Sequence, residues 1–186
     1  MRAIYTSEKY SSFKHVDSII MNFEEAKELL SYHSGYNSDS GNSKWKQGFL
    51  GQLRPYAGRL YESNFIELVD VLEVFQKHYR SENIDKEAMA MLFDVCTVPR
   101  LWAFDPEGML RRNKLIRDEE LSVLNDWLIR LSEGVSYLLN DAKVDMNDVM
   151  IGYGETRRPY LSVSWHSIYR DGKCTKKFGT GSLIIA

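Results

Sequence analysis

Leu121, Leu124, Leu128, Leu131, Val135 and Leu138 recur at steps of three and four, which places them on one stripe of a helix with 3.6 residues per turn. The spacing predicts a core helix over 118–140. Trp127, Ile129, Tyr137 and Leu139 widen its apolar arc beyond what a single neighbour covers, so helices are expected on two sides of it. Asp118 is placed to cap the first free N–H groups, with Glu119 and Glu120 where the helix dipole favours negative charge.

The same period organises the chain before it. Asn22, with Glu25 three residues later, reads as a reciprocal helix cap, and Phe23, Ala26, Leu29 and Leu30 supply the apolar face behind it. Trp45, Phe49, Leu53, Tyr56 and Leu60 keep helical spacing, but Pro55 removes a donor and disfavours a helical Arg54, so a break is predicted there. Ser63 or Asn64 then starts a second long helix. Its buried stripe is Phe65, Leu68, Val69, Leu72, Phe75 and Tyr79, and its back carries Glu67, Asp70 and Glu73. Asp85 caps a third, running through Ala88, Met89, Leu92, Phe93 and Cys96 until Pro99 stops it. Asp105 and Pro106 predict a short turn of helix carrying Met109 and Leu110.

Two stretches break this grammar. Residues 32–43 are dominated by Ser, Gly, Asn and Asp and bury too little apolar surface to offset the entropy of ordering them, so a mobile loop is expected. Such a loop is a linker or a binding element, and Tyr32 and Tyr36 are the adaptable contacts a binding element would use. Farther on, Leu161, Val163 and Trp165 alternate with Ser162, Ser164 and His166, a strand pattern. Asp171-Gly172 suits a hairpin turn, with a return strand over 173–178 and a further strand or tail at Leu183, Ile184 and Ile185. Ala3, Ile4 and Tyr5 are a short strand or tether, and 145–151 one more helical turn. The expected fold is α+β: a mainly α-helical single domain over 1–186, with about six helices, a helical body at about 20–150 and a small C-terminal antiparallel β-hairpin or sheet at about 158–186.

Charge changes the picture locally rather than globally. The 186 residues carry a formal net charge of -2, which argues against a polyanion-binding protein or an acidic disordered one. Residues 62–94 hold eight acids against three bases, and 117–150 the same, whereas 155–186 hold two against six. The acidic stretches suit either solvated helix backs or attraction of a basic partner. Arg111, Arg112, Lys114 and Arg117 form a basic cluster that could hold phosphate, although neutralising the neighbouring acids is the favoured role. Residues 1–10 lack an apolar core of signal-peptide length, no run is long enough to span a bilayer, and Cys96 and Cys174 stand far apart without a C-x-x-C partner. A reduced, soluble, cytoplasmic protein is expected.

Chemical motifs are sparse. His15, His33, His78 and His166 are dispersed without metal-ligand spacing, so no metal or cofactor is expected. There is no nucleophile elbow or P-loop; 179–182 is glycine-rich but has no lysine and no following helix. Glu25-Ala26-Lys27 matches the E-x-K core of many nucleases but falls on a predicted helix rather than a strand. Ser162, Ser164, His166 and Asp171 can be drawn as a triad that nothing in their spacing constrains.

Gly108-Met109-Leu110-Arg111-Arg112-Asn113-Lys114-Leu115-Ile116, the acids at 118–120 and the helix containing Trp127-Leu128-Ile129 resemble a segment of small bacterial proteins, some of them immunity proteins of polymorphic or contact-dependent toxin systems. The resemblance covers about 100–139 and brings no motif residue with it. It implies a cytoplasmic, non-catalytic protein that neutralises a cognate toxin domain by stoichiometric binding. The acidic stretches would suit a basic, nuclease-type toxin, without direct nucleic-acid or membrane contact. The contact surface expected from exposure is Tyr36 and Asp39 on the loop with Glu67, Asp70 and Glu73 on the second long helix. The alternative is a small hydrolase or nuclease with its site between helices and C-terminal strands around Trp165 and His166; a helical adaptor or phage-encoded regulator is a third reading.

Overall fold

The computed structural model describes residues 21–80 and 83–140, which lie in one compact unit. Six helices are formed there: α1 (Phe23–Ser34), α2 (Ser43–Gln47), α3 (Glu62–Tyr79), α4 (Lys86–Ala103), α5 (Met109–Arg112) and α6 (Asp118–Leu139). The expectation of an α+β domain is corrected: among the described residues there is no strand, only an isolated bridge between Leu53 and Tyr56. Between 21 and 140 the apolar period is helical wherever it is regular, so no second strand is available to complete a ladder. The hairpin expected at about 158–186, the segment at Ala3 to Tyr5 and the helical turn at 145–151 lie outside the described residues.

α1 and α6 each pack against both α3 and α4, which brings four apolar stripes onto one core. Leu124, Leu128 and Leu131 of α6 meet Phe65, Leu68 and Leu72 of α3 and Leu92 and Val95 of α4 in a single buried cluster. The two-sided packing expected of α6 is therefore present. Its centre is aromatic: Phe65 and Trp127 stack with centroids 5.5 Å apart and planes at 5°, and Phe49 approaches the same indole at 6.3 Å. At the other end of α3, Phe23 stacks on His78 at 3.9 Å and lies against Phe75.

The helix boundaries explain how the loops are set. Asn22 caps α1 as expected: its Oδ1 accepts from Glu25 N at 3.0 Å, while Glu25 accepts from Asn22 N at 2.8 Å. The helix then runs a turn beyond the sequence expectation, to Ser34, and ends on Gly35 in the left-handed region at φ 73°. Tyr32, His33 and Ser34, assigned from composition to the mobile loop 32–43, are buried helix residues. The helix expected through Trp45 and Leu53 stops at Gln47, well before Pro55. Gly48 is the reason: a Cβ there would lie 2.7 Å from Lys44 O and 2.9 Å from Tyr32 O, so the backbone nests where no larger residue fits. Phe49, Leu50 and Leu53 are buried from an irregular segment instead.

Three further boundaries differ. α3 begins at Glu62, and Asn64 is not its cap but a buried bracket whose Nδ2 donates to Gln47 O at 2.7 Å. Pro99 lies inside α4 rather than ending it; burial of Pro99 and Ala103 beyond that point offsets the missing N–H. Arg117, not Asp118, occupies the cap position of α6, and Glu120 reaches back to Arg117 N at 2.9 Å. Asp85 does cap α4, through Glu87 N at 2.8 Å and Ala88 N at 3.0 Å.

Candidate interaction site

The segment between α1 and α3 is fastened through His33. Its imidazole is fully buried, with Nδ1 accepting from Phe49 N–H at 3.0 Å. That bond fixes the proton on Nε2, which donates to Glu67 Oε2 at 2.8 Å. Glu67 also receives Lys44 Nζ at 2.7 Å, and the His33 carbonyl accepts from Leu50 N at 2.9 Å. Residues of α1, α2, α3 and 49–50 thus meet at one polar junction. Burial pushes the His33 pKa down, against the opposing pull of Glu67. Burial pushes Glu67 up, but the hydrogen bonds from His33 and Lys44 outweigh it and leave this carboxyl below its ordinary value. With Nδ1 accepting from Phe49 N–H and Nε2 donating to Glu67, the buried ring ties α1 to α3 and to the segment at Phe49, and it faces no open site as a catalytic base.

The loop 35–42 is tied down by short-range bonds. Asn37 Nδ2 donates to Ser31 Oγ at 2.9 Å, Trp45 Nε1 donates to Asn37 O at 3.0 Å, and Asp39 Oδ1 accepts from Gly41 N at 3.0 Å. Asp39 is therefore exposed but engaged in its own turn. Tyr36 is 50% exposed, and the Asp94 carboxylate of α4 beside its hydroxyl holds the phenol pKa up. Tyr36 thereby forms one wall of an open cleft of about 530 Å³, whose floor and far side are Glu24, Lys27, Glu28 and Ser31 of α1 and Glu87 and Met91 of α4. Lys27 spans the floor, pairing with Asp85 and Glu87 at 2.8 Å each, and these bonds raise its pKa. Glu24, Glu28 and Glu87 are exposed at the rim.

The five residues expected to make contact are engaged in different ways. Tyr36 joins the α4 side of α1, whereas Glu67 is drawn into the junction with His33 and Lys44 and is only partly exposed. Asp70 is exposed; partial burial first, and then Glu73 and Glu67, raise its pKa. Glu73 pairs with Lys77 at 2.7 Å one helical turn away. Sequence reasoning missed His33, Lys44, Asp94 and the Lys27–Asp85–Glu87 bridge, because each depends on tertiary neighbours. The E-x-K match dissolves into architecture, with Glu25 serving the α1 cap and Lys27 the bridge to α4. In the basic cluster, Arg111 pairs with Asp118 at 3.0 Å and Arg117 with Glu120 at 2.7 Å, which fits the neutralising role.

Among the described residues no group of three or more His, Cys, Asp or Glu side chains is arranged to hold a metal ion, and no helix is long and apolar enough to cross a membrane. The alternative site around Trp165 and His166 and the drawn triad lie outside the described residues. Comparison with protein-family models, with curated proteins and with solved structures gives no match.

Proposed function

We propose that this protein is a cytoplasmic, immunity-like inhibitor that neutralises a basic protein toxin by stoichiometric binding. The observation that carries this reading is the cleft between α1 and α4, where Glu24, Glu28 and Glu87 rim a concavity walled by the exposed Tyr36. Acidic rims accelerate encounter with a basic partner, and a half-exposed tyrosine held at its hydroxyl offers contact area at low entropic cost. The buried ionisable groups support the same reading. His33 and Glu67 are engaged in bonds that join α1, α2 and α3, and Glu120 in the cap of its own helix, which leaves the exposed Glu24 and Glu28 of the cleft to meet a partner.

The test is capture from the native cell lysate followed by gel filtration, kinetics and an activity assay of the captured protein. A basic protein that co-elutes in fixed stoichiometry, loses its activity in the complex and associates at least tenfold more slowly with the Glu24→Lys/Glu28→Lys variant would support the proposal. Elution of the protein alone, or an association rate indifferent to the charge reversal, would remove it.

A further inference from the structure

The junction at His33 joins four parts of the chain through one titratable ring, and its hydrogen bonds tolerate only one protonation state. We propose that His33 is a proton-operated lock on the segment 35–53: neutral, it fastens that segment to α1 and α3, and on protonation it frees the segment, Phe49 included, while α1, α3, α4 and α6 stay packed on one another. The geometry carries this directly. Nδ1 is the acceptor for Phe49 N–H at 3.0 Å, so a proton placed on Nδ1 sets two donors face to face at a site with no exposure to water. The next amide, Leu50 N, donates to the His33 carbonyl, so movement at Phe49 strains a second bond of the same junction.

The charged groups facing the ring set the balance. From α3, Glu67 accepts from Nε2 and favours the imidazolium; from α2, Lys44 disfavours it and at the same time competes for Glu67. The segment 48–50 presents backbone N–H groups to the ring and the His33 carbonyl, with no counter-charge. Burial adds to the resistance, and the closed-state pKa lies below that of a solvated histidine. The segment this ring holds carries two large exposed aromatic groups, Tyr36 and Trp45. Gly48 and Gly51 allow it to nest closely against Tyr32 and the backbone of α2.

The linkage has a definite sign. The open state binds a proton with the ordinary histidine pKa of about 6.5 and the closed state with a lower one. Closure is therefore complete above about pH 6.5 and loses free energy as pH falls below it, the opening constant rising by up to about tenfold per pH unit while the closed ring stays neutral.

Native-state amide exchange on the full chain, corrected for intrinsic rates, reads this constant. Protection of the Phe49 and Leu50 amides should fall between pH 6 and pH 5, by up to about tenfold, while that of Leu124 and Leu128 in α6 stays level. His33→Asn keeps an acceptor near Phe49 N–H without a titrating ring and should flatten the profile. Glu67→Gln keeps an acceptor for Nε2 but removes the charge that favours the imidazolium, so the tenfold slope should extend to lower pH; this variant serves where the asparagine change prevents folding. A level Phe49 profile in the wild type would overturn the lock, as would an unchanged slope in His33→Asn. So would α6 amides that lose protection in step with Phe49, since the proton would then govern global unfolding.

Discussion

Phe65→Ala tests whether the aromatic centre holds the helices together. The ring has no exposure to solvent and stacks on Trp127 at 5.5 Å with planes at 5°. Truncation to the methyl of Ala forfeits burial of roughly 100 Å² of apolar surface, worth about 2.5 kcal/mol at about 25 cal/mol per Å². It also leaves the Trp127 indole facing a void, for a total expected loss of about 3–5 kcal/mol. Domains of this size hold about 5–15 kcal/mol, so the variant should remain folded in buffer but unfold at a much lower urea concentration. Urea titration followed by far-ultraviolet circular dichroism, at constant m-value, measures the difference. Phe93→Ala is the matched control, because that ring is 64% exposed on α4 and its removal should change stability by less than about 0.5 kcal/mol. A loss below about 1.5 kcal/mol at Phe65, or an equal loss at Phe93, would refute the placement of the core.

Asn22→Ala removes the side-chain half of the α1 cap and should cost about 1 kcal/mol, with faster amide exchange at Glu25 as its local signature; unchanged exchange there would mean that the bond at 3.0 Å contributes nothing. Gly108→Ala should destabilise by about 1–3 kcal/mol, because the new methyl would press on the backbone oxygens of Leu101 and Trp102, the latter at 2.6 Å; an unshifted thermal midpoint would show that the turn after α4 yields freely.

How much of this architecture was legible in the sequence depended on whether the signal was local. The reciprocal cap at Asn22 and Glu25, the Asp85 cap and the long stripe of α6 need only neighbours within a few residues, and those features match the structure. Composition misled at 32–34. Tyr32, His33 and Ser34 open a polar-looking run, yet His33 finds both of its hydrogen-bond partners across the fold, at Phe49 and Glu67, which no local pattern reveals. Pro55 reads as the breaker of a helix that ends earlier, before Gly48, where the backbone packs against Tyr32. Pro99 reads as a stop, although packing carries α4 past it. The candidate site was harder still. Tyr36 was singled out as a contact residue, but its pairing with Asp94, and with it the cleft, requires α1 and α4 to be side by side. Glu67 looked like one of three equivalent acids on a helix back until the fold placed His33 and Lys44 against it.

That difference among the three acids constrains how a partner could read this protein. Reversing Glu67 would remove the counter-charge from Lys44 and the acceptor from His33 together, so any effect on binding would be confounded with loosening of the junction. Asp70 is exposed and Glu73, paired with Lys77, partly so, neither bonded to that junction, and Glu24 and Glu28 are exposed along the cleft between α1 and α4. The α1–α4 cleft adds concavity and an aromatic wall to its charge, whereas the α3 back offers charge alone. A basic protein drawn to both would therefore be held at the cleft, where contact with the exposed ring of Tyr36 can slow its departure.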